Sequence, residues 1–181
     1  MSVPDILYRM RGRQGAFIDG LKELIGEAPP GGTAVEIGAY AGQSTELMCD
    51  SHKFGRVITI DPYIDGYDPT DVPVTTYKLA DVRKLFYSRV IKYSNLLHLN
   101  LLSTEAAGLF QNASIDFLYI DGNHQYEAVK QDIELFLPKI RRGGLISGHD
   151  YTLFEGVKTA VDEMLGAPDR VFPDTSWMVR L

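Results

Sequence analysis

The sequence predicts an α/β fold: a doubly wound, mostly parallel seven-stranded sheet with helices on both faces. Three observations carry that reading. Short apolar runs alternate with amphipathic stretches, and each run is apolar throughout, as in strands buried on both sides. The first run passes into a turn with two glycines, Gly38 and Gly42, and then into Ser44-Thr45 at a helix start. Acids close the runs: Glu36, Asp61, Asp121 and the His149-Asp150 pair. In open parallel sheets the ligand crevice lies outside the carboxyl ends of the strands, so these groups are expected to face one site.

The elements follow in order. Residues 5–26 form an amphipathic helix, with Phe17, Ile18, Leu21, Leu24 and Ile25 at helical spacing and Gly26 suited to its end. Ala28-Pro29-Pro30-Gly31-Gly32 breaks it. Thr33–Ile37 is the first strand, 44–51 a helix and Val57–Ile60 the second strand. Residues 62–78 are rich in Pro, Asp and Tyr without a period, and read as a long loop. A helix over 81–92 and a short strand over Leu96–Leu99 come next, then a helix over 104–110 with Ser103 as a fitting N-cap. Ile115–Ile120 is a strand, and 126–140 a helix that Pro138 should end or kink. Gly143-Gly144 reads as a turn, 145–147 as a strand and Glu155–Leu165 as a helix. Residues 169–172 and 177–181, split by Pro173-Asp174-Thr175, read as a final hairpin.

The chain has 181 residues, 45% of them apolar, which suits one domain over 1–181, with 1–30 as N-terminal helix and linker. Its formal charge of −6 argues against a broad phosphate-binding face, so no nucleic-acid partner is expected. No apolar run reaches the roughly 18 residues of a membrane span, and no membrane partner is expected. Cys49 is the sole cysteine, so no intrachain disulfide forms; it reads as a small core residue. The opening Met-Ser-Val-Pro-Asp lacks a signal pattern, and a cytoplasmic location is expected.

A carboxylate at the end of a buried strand is expensive without a partner. Glu36 would repel a pyrophosphate, whereas it would hold an ammonium group or ribose hydroxyls. That favours S-adenosylmethionine over NAD as the ligand of the glycine turn. An NAD-dependent oxidoreductase is the rival on the same scaffold, and the absence of a full G-x-G-x-x-G counts against it.

Residues Glu36 to Thr45 resemble the first motif of the class I S-adenosylmethionine-dependent methyltransferases, in a G-x-x-x-G-x-S-T form, and Ile58-Thr59-Ile60-Asp61-Pro62 resembles their second. Residues 115–126, through Asp121-Gly122-Asn123-His124-Gln125-Tyr126, and Gly143-Gly144 through Gly148-His149-Asp150-Tyr151 are similar to the small-molecule branch that includes macrolide-sugar O-methyltransferases. The resemblance spans roughly 30–181. It implies a Rossmann-like methyltransferase sheet with the first strand central and an antiparallel hairpin at the end.

It also implies roles. Glu36 and Gly38 would line the methionine end of the cofactor, Gly42 would let the loop pass close, and Ser44 belongs to the same motif. Asp61 would accept the ribose hydroxyls, or else cap a loop; Ser103 would touch the adenine edge, or serve as a plain N-cap. Asp121, in contact with the cofactor, would with His149 and Asp150 hold a divalent cation, Mg²⁺ or Mn²⁺. A histidine there departs from the all-carboxylate version, which leaves three alternatives: another metal, His149 outside the ligand set, or no metal. His124, three residues after Asp121, would take the acceptor's proton, or else fix its turn. The expected partner is a small hydroxyl-bearing acceptor, a sugar or secondary metabolite. The loop 62–78 reads as a lid or as a solvated connection. The chain is short for the fold, which leaves open a non-catalytic cofactor-binding module, and a homodimer would supply a missing wall.

Overall fold

A computed structural model describes residues 18–181. The elements are α1 (Asp19–Glu27), β1 (Thr33–Ile37), α2 (Gln43–Asp50), β2 (Arg56–Ile60), α3 (Val72–Thr76), α4 (Leu79–Val90), β3 (Leu96–Leu99), α5 (Ser103–Ala106), β4 (Ile115–Ile120), α6 (Tyr126–Phe136), β5 (Ile140–Gly148), α7 (Glu155–Leu165), β6 (Arg170–Val171) and β7 (Trp177–Arg180). The strands form one sheet in the order β3-β2-β1-β4-β5-β7-β6. β1 to β5 pair in parallel, while β7 runs antiparallel to β5 and β6. β1 is therefore central and the chain ends in a hairpin, as expected.

Two cores explain why the strands carry apolar residues on both faces. Val35, Ile37, Ile58, Ile60, Leu118 and Ile120 face α6 and α7 through Val129, Ile133, Phe136 and Val161. The alternate residues Ala34, Val57, Phe117 and Tyr119 face α1 and α2 through Leu21, Leu24, Ile25 and Met48. Strand side chains alternate, so Glu36 goes with Ala34 toward α2, on the opposite face from Ile37. A third cluster, around Tyr63, Val82, Leu85 and Phe86, packs α4 under the glycine turn. Among the described residues no helix is long and apolar enough to cross a membrane.

Four local expectations are corrected. The first helix is seen over Asp19–Glu27, with Gly26 inside it rather than at its end; its expected part before residue 18 lies outside the described residues. Gly143-Gly144 is not a turn but a bulge inside β5: Ile115 pairs with Ile140 and Phe117 with Leu145, so four residues bulge where the partner strand has one. The bulge is fixed from afar, because Gly143 N–H donates to the Leu181 carbonyl at 2.6 Å. The helix expected over 126–140 is shorter: α6 stops at Phe136, ended at Pro138 as expected, and a tight turn over Leu137–Lys139 leads directly into β5. Ser103 is not the N-cap of α5; Leu102 is, and its N–H donates to the Glu105 carboxylate at 2.9 Å.

Candidate active site

The sheet ladder continues one residue past each strand end and so aligns the site. Gly38 N–H donates to Ile60 O, Asp61 N–H to Leu99 O, Asp121 N–H to Ile37 O and His149 N–H to Ile120 O, at 2.8–3.1 Å. The residues after β1, β2, β4 and β5 thus share one rim.

The turn after β1 needs its glycines for different reasons. Gly38 has φ +89°, and a Cβ there would lie 2.0 Å from the Asp121 carbonyl oxygen. Gly42 has φ +77°, and its Cβ would press on the Phe86 ring at 2.8 Å. The first glycine therefore seats the turn against β4, and the second seats α2 on α4. Asp61 fastens the turn from β2. One carboxylate oxygen accepts the N–H groups of Ala39 (3.0 Å) and Tyr40 (2.9 Å), and the other accepts that of Tyr63 (2.8 Å). Burial pushes the Asp61 pKa up, and those three N–H groups oppose the rise. A carboxylate offers about four lone-pair sites, so these three donors leave one uncommitted, and Asp61 lines the cavity described next.

Glu36 is wholly buried. The Thr45 and Thr59 hydroxyls donate to its Oε2, the latter at 2.9 Å, while Oε1 has no partner. Ser44 faces the same carboxylate and lowers its pKa without closing a well-formed hydrogen bond. Burial dominates and lifts the Glu36 pKa to about 7.

The rim opens on a cavity of about 690 Å³, lined by Gly38, Asp61, Ser103, Asp121, His124 and Asp150 among others. That lies within the range of small-molecule sites. A smaller cavity of about 170 Å³ lies beside it against Ser44, Tyr119 and α1, and shares Gly38, Asp121 and His149 with it. Glu36 and Gly42 line neither.

On the β4–β5 side Asp121, His124 and Asp150 present ligand atoms within 4.8 Å of one another. His124 Nε2 stands 3.0 Å from Asp150 Oδ2 and 4.0 Å from Asp121 Oδ1. Its ring stacks on Phe154, with centroids 4.4 Å apart. His149 is not part of this cluster; its Nδ1 lies 3.1 Å from the other Asp150 oxygen and so orients that carboxylate. Asp150 itself has φ +65°, a left-handed conformation that turns it back over the rim. Burial alone would lower both histidines, but Asp121 and Asp150 lift His124 to about 10, and Asp150 lifts His149 to about 9. The two histidines in turn hold Asp150 far below the usual carboxylate range.

Asp68, from the 62–78 loop, completes the cluster, and sequence reasoning missed it. It is 1% exposed. Its Oδ2 accepts the His124 backbone N–H at 2.8 Å and stands 2.9 Å from His124 Nδ1. Its Oδ1 accepts the N–H and hydroxyl of Thr70 at 2.8 and 2.6 Å. Asn123 donates to the Tyr67 carbonyl at 2.8 Å, so the loop is docked on the turn after β4. Both His124 ring nitrogens lie at ion-pairing distance from carboxylates, yet neither makes a well-aligned hydrogen bond. Asp71 also lines the cavity, and burial lifts its pKa to about 6. A second missed acid, Asp132 on α6, is buried on the cavity wall beside Ser103; burial lifts it to about 7.

The family profile described as Methyltransferase domain matches residues 35–151. Uncharacterized protein R132 of Acanthamoeba polyphaga mimivirus is 32% identical over 124 residues, 66% of this chain and 51% of that protein. Uncharacterized protein y4gI of Sinorhizobium fredii (strain NBRC 101917 / NGR234) is 35% identical over 117 residues, 64% of this chain and 13% of that protein. The chain thus spans about half the length of the first relative and a small part of the second. The solved structure of the O-methyltransferase NovP superposes with a TM-score of 0.64 at 18% identity, over 90% of this chain and 78% of that chain. That likeness shows the fold, and the profile, which runs from the glycine turn to the residues after β5, shows the family: the chain belongs to the methyltransferase domain family.

Proposed function

We propose that the chain transfers a methyl group from S-adenosylmethionine to a hydroxyl of a small molecule, with help from a divalent cation. The carrying observation is the meeting of Asp121, His124 and Asp150 at the cavity floor, beside the glycine turn that Asp61 fastens. The residues present fit both groups. Gly38 and Asp61 line the cavity, Gly38 bare of any side chain and Asp61 with one lone pair uncommitted. The His124 ring nitrogens are orphans within reach of two carboxylates.

The chemistry is an in-line displacement. The acceptor oxygen bonds to the methyl carbon, the carbon–sulfur bond breaks with its electron pair going to sulfur, and S-adenosylhomocysteine leaves. Alignment of the partners supplies most of the acceleration. Asp121 and Asp150 would hold Mg²⁺ or Mn²⁺, which typically takes one or two protein carboxylates plus other oxygens and would acidify the acceptor hydroxyl. His124 Nε2 takes the hydroxyl proton. For that the ring must be neutral, so turnover should climb with pH as His124, lifted to about 10 by Asp121 and Asp150, loses its proton, and Asp68 Oδ2, 2.9 Å from Nδ1, would orient the ring. His149 acts only through Asp150. The NovP structure, described as an O-methyltransferase, supports a hydroxyl acceptor, and the acidic chain disfavours a nucleic acid.

The test is S-adenosylhomocysteine release from S-adenosylmethionine and a library of small hydroxyl compounds, with and without Mg²⁺ or Mn²⁺. Asp121→Asn and His124→Gln should each abolish turnover, and His124→Gln should keep cofactor and Mn²⁺ binding. Turnover intact in both variants contradicts the mechanism. Loss of Mn²⁺ binding in His124→Gln would make His124 a ligand rather than the base.

A further inference from the structure

Thr175, in the turn between β6 and β7, holds a backbone conformation that threonine adopts at a cost. Its φ is +73°, and among the described residues it is the one β-branched residue with a left-handed φ. Glycine would serve that turn at less cost. The surroundings hold the strain in place. Thr175 N–H donates to the Phe172 carbonyl at 2.9 Å, and Phe172 N–H donates to the Ser176 carbonyl at 2.8 Å. Asp174, 3% exposed, accepts the N–H groups of Ser176 and of Leu21 in α1, both at 3.0 Å. A Cβ on Gly20 would lie 1.9 Å from Asp174 Oδ1, so α1 and the turn are in close contact. The turn is thus a fixed point in the body of the fold.

What threonine adds over glycine is a hydroxyl, and that hydroxyl reaches the rim. Thr175 Oγ1 accepts the Asp150 N–H at 3.1 Å, and the Thr175 carbonyl accepts the Tyr151 N–H at 3.2 Å. Asp150 has φ +65°, so two left-handed residues, distant in sequence, fasten each other. Such conformations persist where neighbours over-determine them, and they gather at functional sites. The consequence falls on the Asp150 carboxylate. With its backbone tied, Asp150 sets Oδ2 3.0 Å from His124 Nε2 and Oδ1 3.1 Å from His149 Nδ1. Without the hydroxyl the buried Asp150 N–H loses this acceptor, and the segment is free to relax out of its left-handed turn.

We infer that Thr175 is a positioning residue: its hydroxyl locks Asp150 in the conformation that aims the carboxylate at a divalent cation shared with Asp121. This rests on the cation proposed above. Three substitutions separate the roles. Thr175→Val keeps the shape and removes the acceptor, Thr175→Gly removes the acceptor and relieves the strain, and Thr175→Ser keeps the hydroxyl. The experiment is calorimetric titration of the metal-stripped wild type and variants with Mn²⁺, and separately with S-adenosylhomocysteine, after thermal unfolding confirms a fold. Thr175→Val and Thr175→Gly should bind Mn²⁺ about ten-fold or more weakly, the usual cost of losing a group that orients a metal ligand. Thr175→Ser should bind it as the wild type does. Affinity for S-adenosylhomocysteine should hold in all three, because Thr175 lines neither cavity. A role confined to the turn predicts the opposite for Thr175→Gly: a more stable protein with its Mn²⁺ affinity intact. That result, an unchanged Mn²⁺ affinity in Thr175→Val, or equal losses in Thr175→Ser, would overturn the inference and leave the cation reading standing. No Mn²⁺ binding by the wild type would overturn both. Thr175→Gly carries the test if Thr175→Val does not fold.

Discussion

Glu36 is held where its charge is unwelcome, and that can be measured. It is wholly buried, and burial raises its pKa from the ordinary 4.5 to about 7. A folded-state pKa above the unfolded one means the fold prefers the protonated acid. Glu36 then costs little stability at pH 5 and progressively more as pH rises toward and past 7. The rise from 4.5 to about 7 corresponds to about 3 kcal/mol in full, of which about 2.5 kcal/mol falls between pH 5 and pH 8. Glu36→Gln removes the charge and keeps a carbonyl for the Thr45 and Thr59 hydroxyls. The new amide N–H groups add a fixed offset at all pH values. The stability of the variant minus that of the wild type, from urea unfolding, should therefore rise by about 2–3 kcal/mol from pH 5 to pH 8. A flat difference would refute the reasoning and mean that Glu36 ionises at its ordinary value.

Three further outcomes are expected. Gly38→Ala combines φ +89° with a Cβ 2.0 Å from the Asp121 carbonyl; it should cost roughly 3 kcal/mol or more and lower the urea midpoint. Asp68→Ala leaves the His124 and Thr70 N–H groups without their acceptor; unfolding should show a loss of about 2–3 kcal/mol, and an unchanged midpoint would mean the loop is not docked. His124 and His149 have folded pKa values near 10 and 9 against an ordinary 6.5, so their stabilisation is complete below about 6.5 and is lost as pH climbs through 9 to 10. Asp68 and Asp150, both lowered, contribute above about 3.8 and lose that contribution in acid. His124→Gln should flatten the alkaline limb of a pH–stability curve; a limb equally steep in that variant would contradict the ion pairing.

Where the sequence was legible, short-range chemistry set the outcome. β1, β3, β4 and α7 have the bounds their apolar runs and flanking turns predict. It was illegible where distant partners decide. Two glycines at 143–144 look like a turn until the Leu181 backbone pins them as a bulge. The rim acids are expected to meet because parallel strands end together, and Asp61, Asp121 and Asp150 line one cavity. Glu36 shows the limit of that rule: it lies one residue before the strand end, and alternation turns it toward α2. Which histidine joins the acids could not be read, because the left-handed backbone at Asp150 re-aims that segment. Asp68 had no signal in an aperiodic loop. Asp132 did have one: a lone acid on the apolar face that Val129, Ile133 and Phe136 define at helical spacing.

The most direct measurement is calorimetric titration of the metal-stripped protein with S-adenosylhomocysteine, alongside Asp61→Asn. Asp61 is predicted to serve both the turn and the ribose, so the wild type should give saturable one-to-one binding. In Asp61→Asn the affinity should fall about ten-fold or more, as expected for losing charge-assisted hydrogen bonds. No heat from the wild type, with or without Mn²⁺, would contradict the assignment of this rim to the cofactor.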